Sequence, residues 1–203
     1  MKTNWYTIQA SILYLLFYML SCTNAQVAET KEIDNKIEKS IEKCIIENSI
    51  VAYYDGTFFE AVERIDSYLI SHHFVDKNSK VHYKKLISGL INEGGHVLND
   101  SFFEINAATL DYLTNPVFFS TLYNCFWLSS VQLQVDSLDF VSTLPGQVAV
   151  IFDYIVDEGS YNWNYIEKFS DLIPPTKFDE ILYKSFIIHL IAVYSTRLNM
   201  YRD

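Results

Sequence analysis

Glycine and proline are scarce in this sequence, which has 6 glycines and 4 prolines in 203 residues. Collagen-like, proline-rich and linker-type chains contain far more of these two residues, so the composition excludes those classes. Basic residues are also in the minority, since 15 Lys and Arg accompany 25 Asp and Glu and give a formal net charge of −10. Binding to phosphate backbones requires a basic surface, and we therefore expect no nucleic-acid partner.

The sequence motifs of common catalytic sites are absent too. The chain contains no Gly-x-Ser-x-Gly, His-Glu-x-x-His or Cys-x-x-Cys motif, and it has neither a Walker A loop nor a dinucleotide-binding fingerprint. We therefore predict no catalytic residue, no cofactor and no metal site. A binding protein is a better interpretation of this chain than an enzyme.

Apolar residues are plentiful instead, at 50% of the chain, and 16% of all residues are aromatic. This is enough material for one sizeable hydrophobic core. From residue 26 onward, apolar positions recur every three to four residues with charged side chains between them, which is the pattern of amphipathic helices. The sequence predicts an all-α fold, with residues 31–203 forming a single compact domain of about six to eight antiparallel helices.

Capping residues and breakers give approximate helix bounds. Three helix starts are indicated: the capping-box pairs Thr57/Glu60 and Ser101/Glu104, and Asn115 followed by Pro116. The predicted helices cover residues 30–52, a segment from 57, 80–92, 101–113, 116–130, two short helices within 145–175 that are split at Glu158-Gly159, and a long final helix over 177–199. The uncharged stretch 112–135 is interpreted as part of the buried core rather than a membrane span, because asparagine, serine and glutamine interrupt it.

The N-terminal segment has the features of a signal peptide. Lys2 is the only charged residue before Glu29, and an unbroken apolar run covers residues 12–20. This run has the length of a signal-peptide hydrophobic region and is shorter than the ~20 residues needed to cross a membrane. The sequence therefore predicts export.

Two processing sites compete at the end of this segment. Met19-Leu20-Ser21-Cys22 resembles the lipobox of bacterial lipoproteins, which implies a signal peptide over residues 1–21, a diacylated Cys22 as the new N-terminus, and a short polar tether over 22–30. Two acyl chains are sufficient for stable anchoring. The alternative is cleavage after Ala25, which would remove residues 1–25 and release a secreted soluble protein.

The two remaining cysteines, Cys44 and Cys125, allow two interpretations. In an oxidising compartment they could form a disulfide, and closing a loop of about 80 residues would stabilise the fold by roughly 4 kcal/mol. Both cysteines also have apolar neighbours in the sequence, so they could equally be small, buried, free side chains.

Charge is distributed unevenly along the chain. Residues 86–167 contain no Lys or Arg and ten acidic residues, whereas the segments on either side are close to balanced. Such a region attracts cations or a basic partner, although solvated helix faces and caps would also account for the acids.

One acidic cluster, Asp153, Asp157 and Glu158, is a weak candidate for a carboxylate site. Asp153 and Asp157 are four residues apart and would share a helix face, where two carboxylates could act in hydrolysis.

His72 and His73 form the only pair of adjacent histidines in the sequence. Adjacent residues point apart on a helix, so we interpret them as helix-terminal polar residues rather than metal ligands.

Together these features predict an exported, lipid-anchored protein of the bacterial cell envelope, facing the periplasm or the cell surface. Its expected role is a helical binding or scaffold module for another envelope protein, which could be basic. One alternative is an acidic inhibitor or immunity-type protein that neutralises a basic partner. The other is a carboxylate-dependent hydrolase.

Overall fold

The computed structural model describes residues 32–49, 56–76, 79–93, 97–159 and 161–199. The predicted signal peptide, Cys22 and the tether over 22–30 lie outside these residues, as does the predicted end of the first helix beyond residue 50. The described part of the chain is entirely helical apart from its turns, and this confirms the all-α prediction.

Ten helices are present among the described residues. They are α1 (32–48), α2 (Phe58–Ser71), α3 (Lys80–Glu93), α4 (Asp100–Thr114), α5 (Pro116–Gln132), α6 (Ser137–Ser142), α7 (Leu144–Glu158), α8 (Trp163–Leu172), α9 (Pro175–Phe178) and α10 (Ile181–Asn199). Helix α6 is too short to show a periodic pattern, and the sequence did not indicate it. Helices α9 and α10 replace the single predicted final helix, and the other seven correspond to predicted helices.

Helix α10 lies at the centre of the fold. It packs against α2, α3, α4 and α5, and every residue from Leu182 to Val193 is buried. A helix that is apolar on all sides has to be surrounded by other helices. The serine hydroxyls within α10 satisfy their hydrogen bonds inside the helix; Ser185, for example, donates to the carbonyl oxygens of Ile181 and Leu182. Helices α5, α7 and α8 pack beside this central group, with α7 in contact with both α5 and α8.

Local capping chemistry sets most helix starts as predicted, with one correction. Thr57 opens α2 through a complete capping box with Glu60, and Asn115 caps α5 ahead of Pro116. The predicted Ser101 cap is wrong, because α4 begins at Asp100 and Asn99 is its N-cap. The amide oxygen of Asn99 accepts from the backbone N–H of Phe102 at 3.0 Å and from the Ser101 hydroxyl at 2.9 Å.

The predicted continuous helix over 177–199 is also wrong. The chain forms the single turn α9, passes through Asp179 and Glu180, and begins α10 at Ile181. This break accompanies the burial of Phe178 and an ion pair in which Lys177 reaches both Glu38 of α1 (2.6 Å) and Glu180 (2.9 Å).

The break between α7 and α8 agrees with the prediction. Gly159 ends α7 in the left-handed conformation, with φ of 62°, which glycine adopts without steric cost.

The uncharged stretch over residues 112–135 is divided at Asn115 between α4 and α5. None of the helices in the described ranges has the length and apolar character required to cross a membrane.

Candidate functional site

A pocket of about 650 Å³ opens between α4, α5, α10 and the segment that precedes α8. Helix α4 lines it with one face: Phe103, Ala107, Leu110, Asp111 and Thr114. The opposite walls come from Pro116, Phe119, Tyr161, His189, Val193 and Thr196. Its volume is in the range of small-molecule sites, and its mixture of apolar walls with a few polar groups is typical of them.

His189 is the most deeply buried polar side chain of this pocket, at 1% exposure. Its Nδ1 lies 2.7 Å from the carbonyl oxygen of Leu113, and its Nε2 lies 2.6 Å from the hydroxyl of Tyr161. Because a carbonyl oxygen only accepts, Nδ1 carries a hydrogen and donates it to Leu113. In the neutral imidazole Nε2 then accepts from the Tyr161 hydroxyl.

The surrounding rings hold this pair in position. The imidazole of His189 is nearly parallel to the rings of Phe118 and Phe119, with centroid distances of 5.5 Å and 5.6 Å. The hydroxyl of Tyr194 donates to the backbone carbonyl of Tyr161 at 2.5 Å and so fixes the segment before α8 against α10. The sequence did not indicate this site, because its residues come from distant parts of the chain.

Two threonines at the pocket wall use their hydroxyl hydrogens within their own helices. Thr114 donates to the carbonyl oxygen of Leu110 at 2.9 Å, and Thr196 donates to that of Ala192 at 2.9 Å. Such bonds leave the lone pairs of both hydroxyl oxygens available as acceptors.

The three predicted carboxylates of α7 lie near each other but are engaged differently. Asp153 is half-buried, accepts from the indole N–H of Trp127 at 3.0 Å and is hydrogen-bonded to Tyr123. Glu158 accepts from the hydroxyl of Tyr165, whereas Asp157 is exposed. The bond to Asp153 raises the pKa of Tyr123, with burial contributing in the same direction.

The histidines of the α2–α3 region are used in local structure. His72 stacks on Tyr68 with centroids 3.8 Å apart, and Nδ1 of His82 lies 3.1 Å from the carboxylate of Asp76. In the described ranges, no group of three or more histidine, cysteine, aspartate or glutamate side chains is arranged to hold a metal ion.

Cys44 and Cys125 are joined in a disulfide that connects α1 to α5, and their Cα atoms are 5.5 Å apart. Both cysteines are almost fully buried. The sequence left open whether these two cysteines are paired or free, and in the structure they are paired.

Two largely buried ion pairs connect α10 and the preceding α9 to the outer helices, and the sequence did not indicate either. Lys184 of α10 contacts Asp66 of α2 at 3.0 Å, and Asp66 also accepts from the hydroxyl of Tyr83. Burial, followed by the hydrogen bond to Asp66, holds the pKa of Tyr83 well above its usual value.

The second ion pair centres on Glu38 of α1. Its carboxylate accepts from Lys177 and from the hydroxyl of Tyr183, each at 2.6 Å. Burial and this carboxylate raise the pKa of Tyr183 strongly. These groups are partnered inside the fold, so we assign them to stability.

The acidic residues of the middle region are mostly on the surface. Of the ten between residues 86 and 167, seven are exposed: Asp100, Glu104, Asp111, Asp136, Asp139, Asp157 and Glu158. Glu167 pairs with Lys84 at 2.9 Å. On α4, residues 100, 104 and 111 lie within a sector of roughly 40°, because each residue turns the helix by about 100°. We call these three side chains the α4 acidic stripe.

No protein-family model, no curated protein and no solved structure matches this chain. What the protein does is therefore inferred from the geometry of its own residues.

Proposed function

We propose that this protein is an exported bacterial envelope protein, anchored by lipid at Cys22, that acts as a helical binding module for a basic envelope protein. The observation that carries the proposal is the α4 acidic stripe. Three exposed carboxylates follow one face of a helix within a stretch of 82 residues that contains no Lys or Arg. An acidic helix face of this kind attracts oppositely charged partners and helps to fix their orientation.

The disulfide between Cys44 and Cys125 supports the export part of the proposal. Structural disulfides form and persist in oxidising compartments such as the periplasm and the cell surface, and they are rare in the cytosol. The predicted signal segment and the buried disulfide are consistent with each other, because both are typical of exported domains.

The hydrolase alternative has less support from the geometry. The carboxylate of Asp153 is occupied by Trp127 and Tyr123, and that of Glu158 by Tyr165. The inhibitor alternative uses the same acidic stripe and differs in requiring one tight, basic partner.

The experiment is chemical crosslinking on intact envelopes, followed by purification of the protein with its crosslinked partner. Glu104→Gln with Asp111→Asn removes two charges from the α4 acidic stripe, and Glu32→Gln with Glu63→Gln removes two exposed charges from α1 and α2 as a matched control. We expect the stripe variant to lose a basic partner that the wild type and the control retain, with binding that weakens as salt increases.

Equal recovery of the same partners by both variants would overturn the proposed role of α4. Recovery of a single basic protein with nanomolar affinity would favour the inhibitor interpretation. Circular dichroism of each variant checks that the fold is unchanged.

A further inference from the structure

The pocket between α4, α5 and α10 has the chemistry of a site for a positively charged amine. We propose that it binds an organic ammonium ion that carries an aromatic or aliphatic body. Three features of the lining residues support this ligand class: the direction of their hydrogen bonds, their charge and their aromatic walls. This site differs from the surface proposed to bind a protein partner and shares only Asp111 with it.

The hydrogen bonds of the lining residues leave acceptors facing the pocket. Nδ1 of His189 donates to Leu113, and Nε2 of His189 is hydrogen-bonded to the hydroxyl of Tyr161. The hydroxyls of Thr114 and Thr196 donate to carbonyl oxygens of their own helices. With these hydrogens already used, the hydroxyl oxygens of Thr114 and Thr196 offer lone pairs, and a ligand with N–H donors complements them.

Charge selects a cation among the ligands that donate hydrogen bonds. Among the lining residues that the structure describes, Asp111 is the only one with a carboxylate, and none is a lysine or an arginine. Lys184, the buried lysine of α10, pairs with Asp66 of α2. An ammonium group near Asp111 would gain a charge-assisted hydrogen bond, whereas a carboxylate or phosphate would be repelled.

Aromatic rings supply the rest of the site. Phe103, Phe119 and Tyr161 line the pocket, and the rings of Phe119 and Tyr161 meet edge to face at 5.6 Å. Aromatic faces attract ammonium groups through their quadrupole and also bury the apolar part of an organic amine. Aliphatic contact comes from Leu110 and Val193.

Three probes that share an indole body test the ligand class. Tryptamine is cationic at neutral pH, tryptophol is its neutral alcohol counterpart, and indole-3-propionate is anionic. Binding of each is measured with the purified disulfide-bonded protein by isothermal titration calorimetry and by NMR shifts of the pocket residues. We expect tryptamine to bind about tenfold more tightly than tryptophol, and indole-3-propionate to bind more weakly than both.

A matched pair of variants locates the charge that is responsible. Asp111→Asn should weaken tryptamine binding by about tenfold and leave tryptophol binding within about twofold. Glu104→Gln removes the same charge from the same stripe of α4 but lies outside the pocket lining, so tryptamine binding should stay within about twofold of wild type. Ala107→Leu should weaken all probes, because its larger side chain enters the pocket.

The proposal is overturned if the anion binds as well as the amine, if Asp111→Asn and Glu104→Gln have equal effects, or if tryptamine shows no binding at millimolar concentration. The last result would leave the protein-partner proposal standing, since that proposal predicts sensitivity to both α4 charges and requires no pocket.

Discussion

Reduction of the Cys44–Cys125 disulfide should lower the free energy of unfolding by about 4.5 kcal/mol at 25 °C. The two residues are 81 positions apart, so the bridge removes the conformational entropy of a long loop from the unfolded chain. The chain-entropy relation gives about 15 cal/mol/K for this separation, which corresponds to that free energy. Because a domain of this kind is stable by only about 5–15 kcal/mol, the reduced protein should be close to the limit of folding.

The measurement is urea unfolding followed by far-ultraviolet circular dichroism, with and without a phosphine reductant. The reduced form should unfold at a much lower urea concentration. Because Ile37, Ile41 and Ile45 of α1 are fully buried and Glu38 is ion-paired, α1 should remain packed in the absence of denaturant.

A control variant with both cysteines changed to alanine should be insensitive to the reductant. Equal urea midpoints for the oxidised and reduced wild type would contradict the stabilising role of the disulfide. So would two thiols that react with an alkylating agent in the native, unreduced protein.

Three further predictions concern the helical core. Lys184→Met should cost about 3–5 kcal/mol of unfolding free energy, because it leaves the carboxylate of Asp66, which is only 14% exposed, without its cation. Gly146→Ala should cost about 1–3 kcal/mol or more, because a Cβ there would lie 1.9 Å from the carbonyl oxygen of Phe140. The stability advantage of wild type over Tyr183→Phe should shrink as pH rises above about 10: the unfolded tyrosine then ionises, while the raised pKa keeps the buried hydroxyl neutral. All three are measured by urea unfolding, the last as a function of pH.

Each of these predictions has its own control. Lys43→Met removes an exposed pair and should change stability by less than about 1 kcal/mol. Gly89→Ala should be neutral or stabilising, because its Cβ would meet Val97 at an ordinary 3.4 Å and alanine favours the helix. The assigned contacts would be contradicted if Lys43→Met lost as much unfolding free energy as Lys184→Met. Equal losses for Gly89→Ala and Gly146→Ala would contradict them as well. A Tyr183→Phe difference that stays constant to pH 11 would contradict the burial of the hydroxyl.

Local sequence patterns predicted the helices well, because the residues that cap a helix lie within a few positions of the backbone groups they contact. Thr57 and Asn115 identified the starts of α2 and α5 through side chains that reach backbone groups two or three residues away. The error at Ser101 has the same origin. Asn99 is an equally good capping residue two positions earlier, and it is the residue that caps α4.

The pocket was not predictable in this way. His189 meets Leu113 and Tyr161, which are 76 and 28 residues away, and no local pattern encodes such distances. Helix α10 is apolar on every side, so its sequence does not indicate which neighbour each face contacts. One signal was present in Lys184, because a lysine within a long apolar run usually has a buried acidic partner.

The most direct test of the proposed role is the intact mass of the protein purified from its native host, measured before and after reduction and alkylation. We expect a chain that begins at Cys22 with a diacylglyceryl group and that gains two alkylated thiols only after reduction. A full-length chain with Cys44 and Cys125 already reactive would contradict both export and the disulfide. A chain that begins at Gln26 would contradict the lipid anchor.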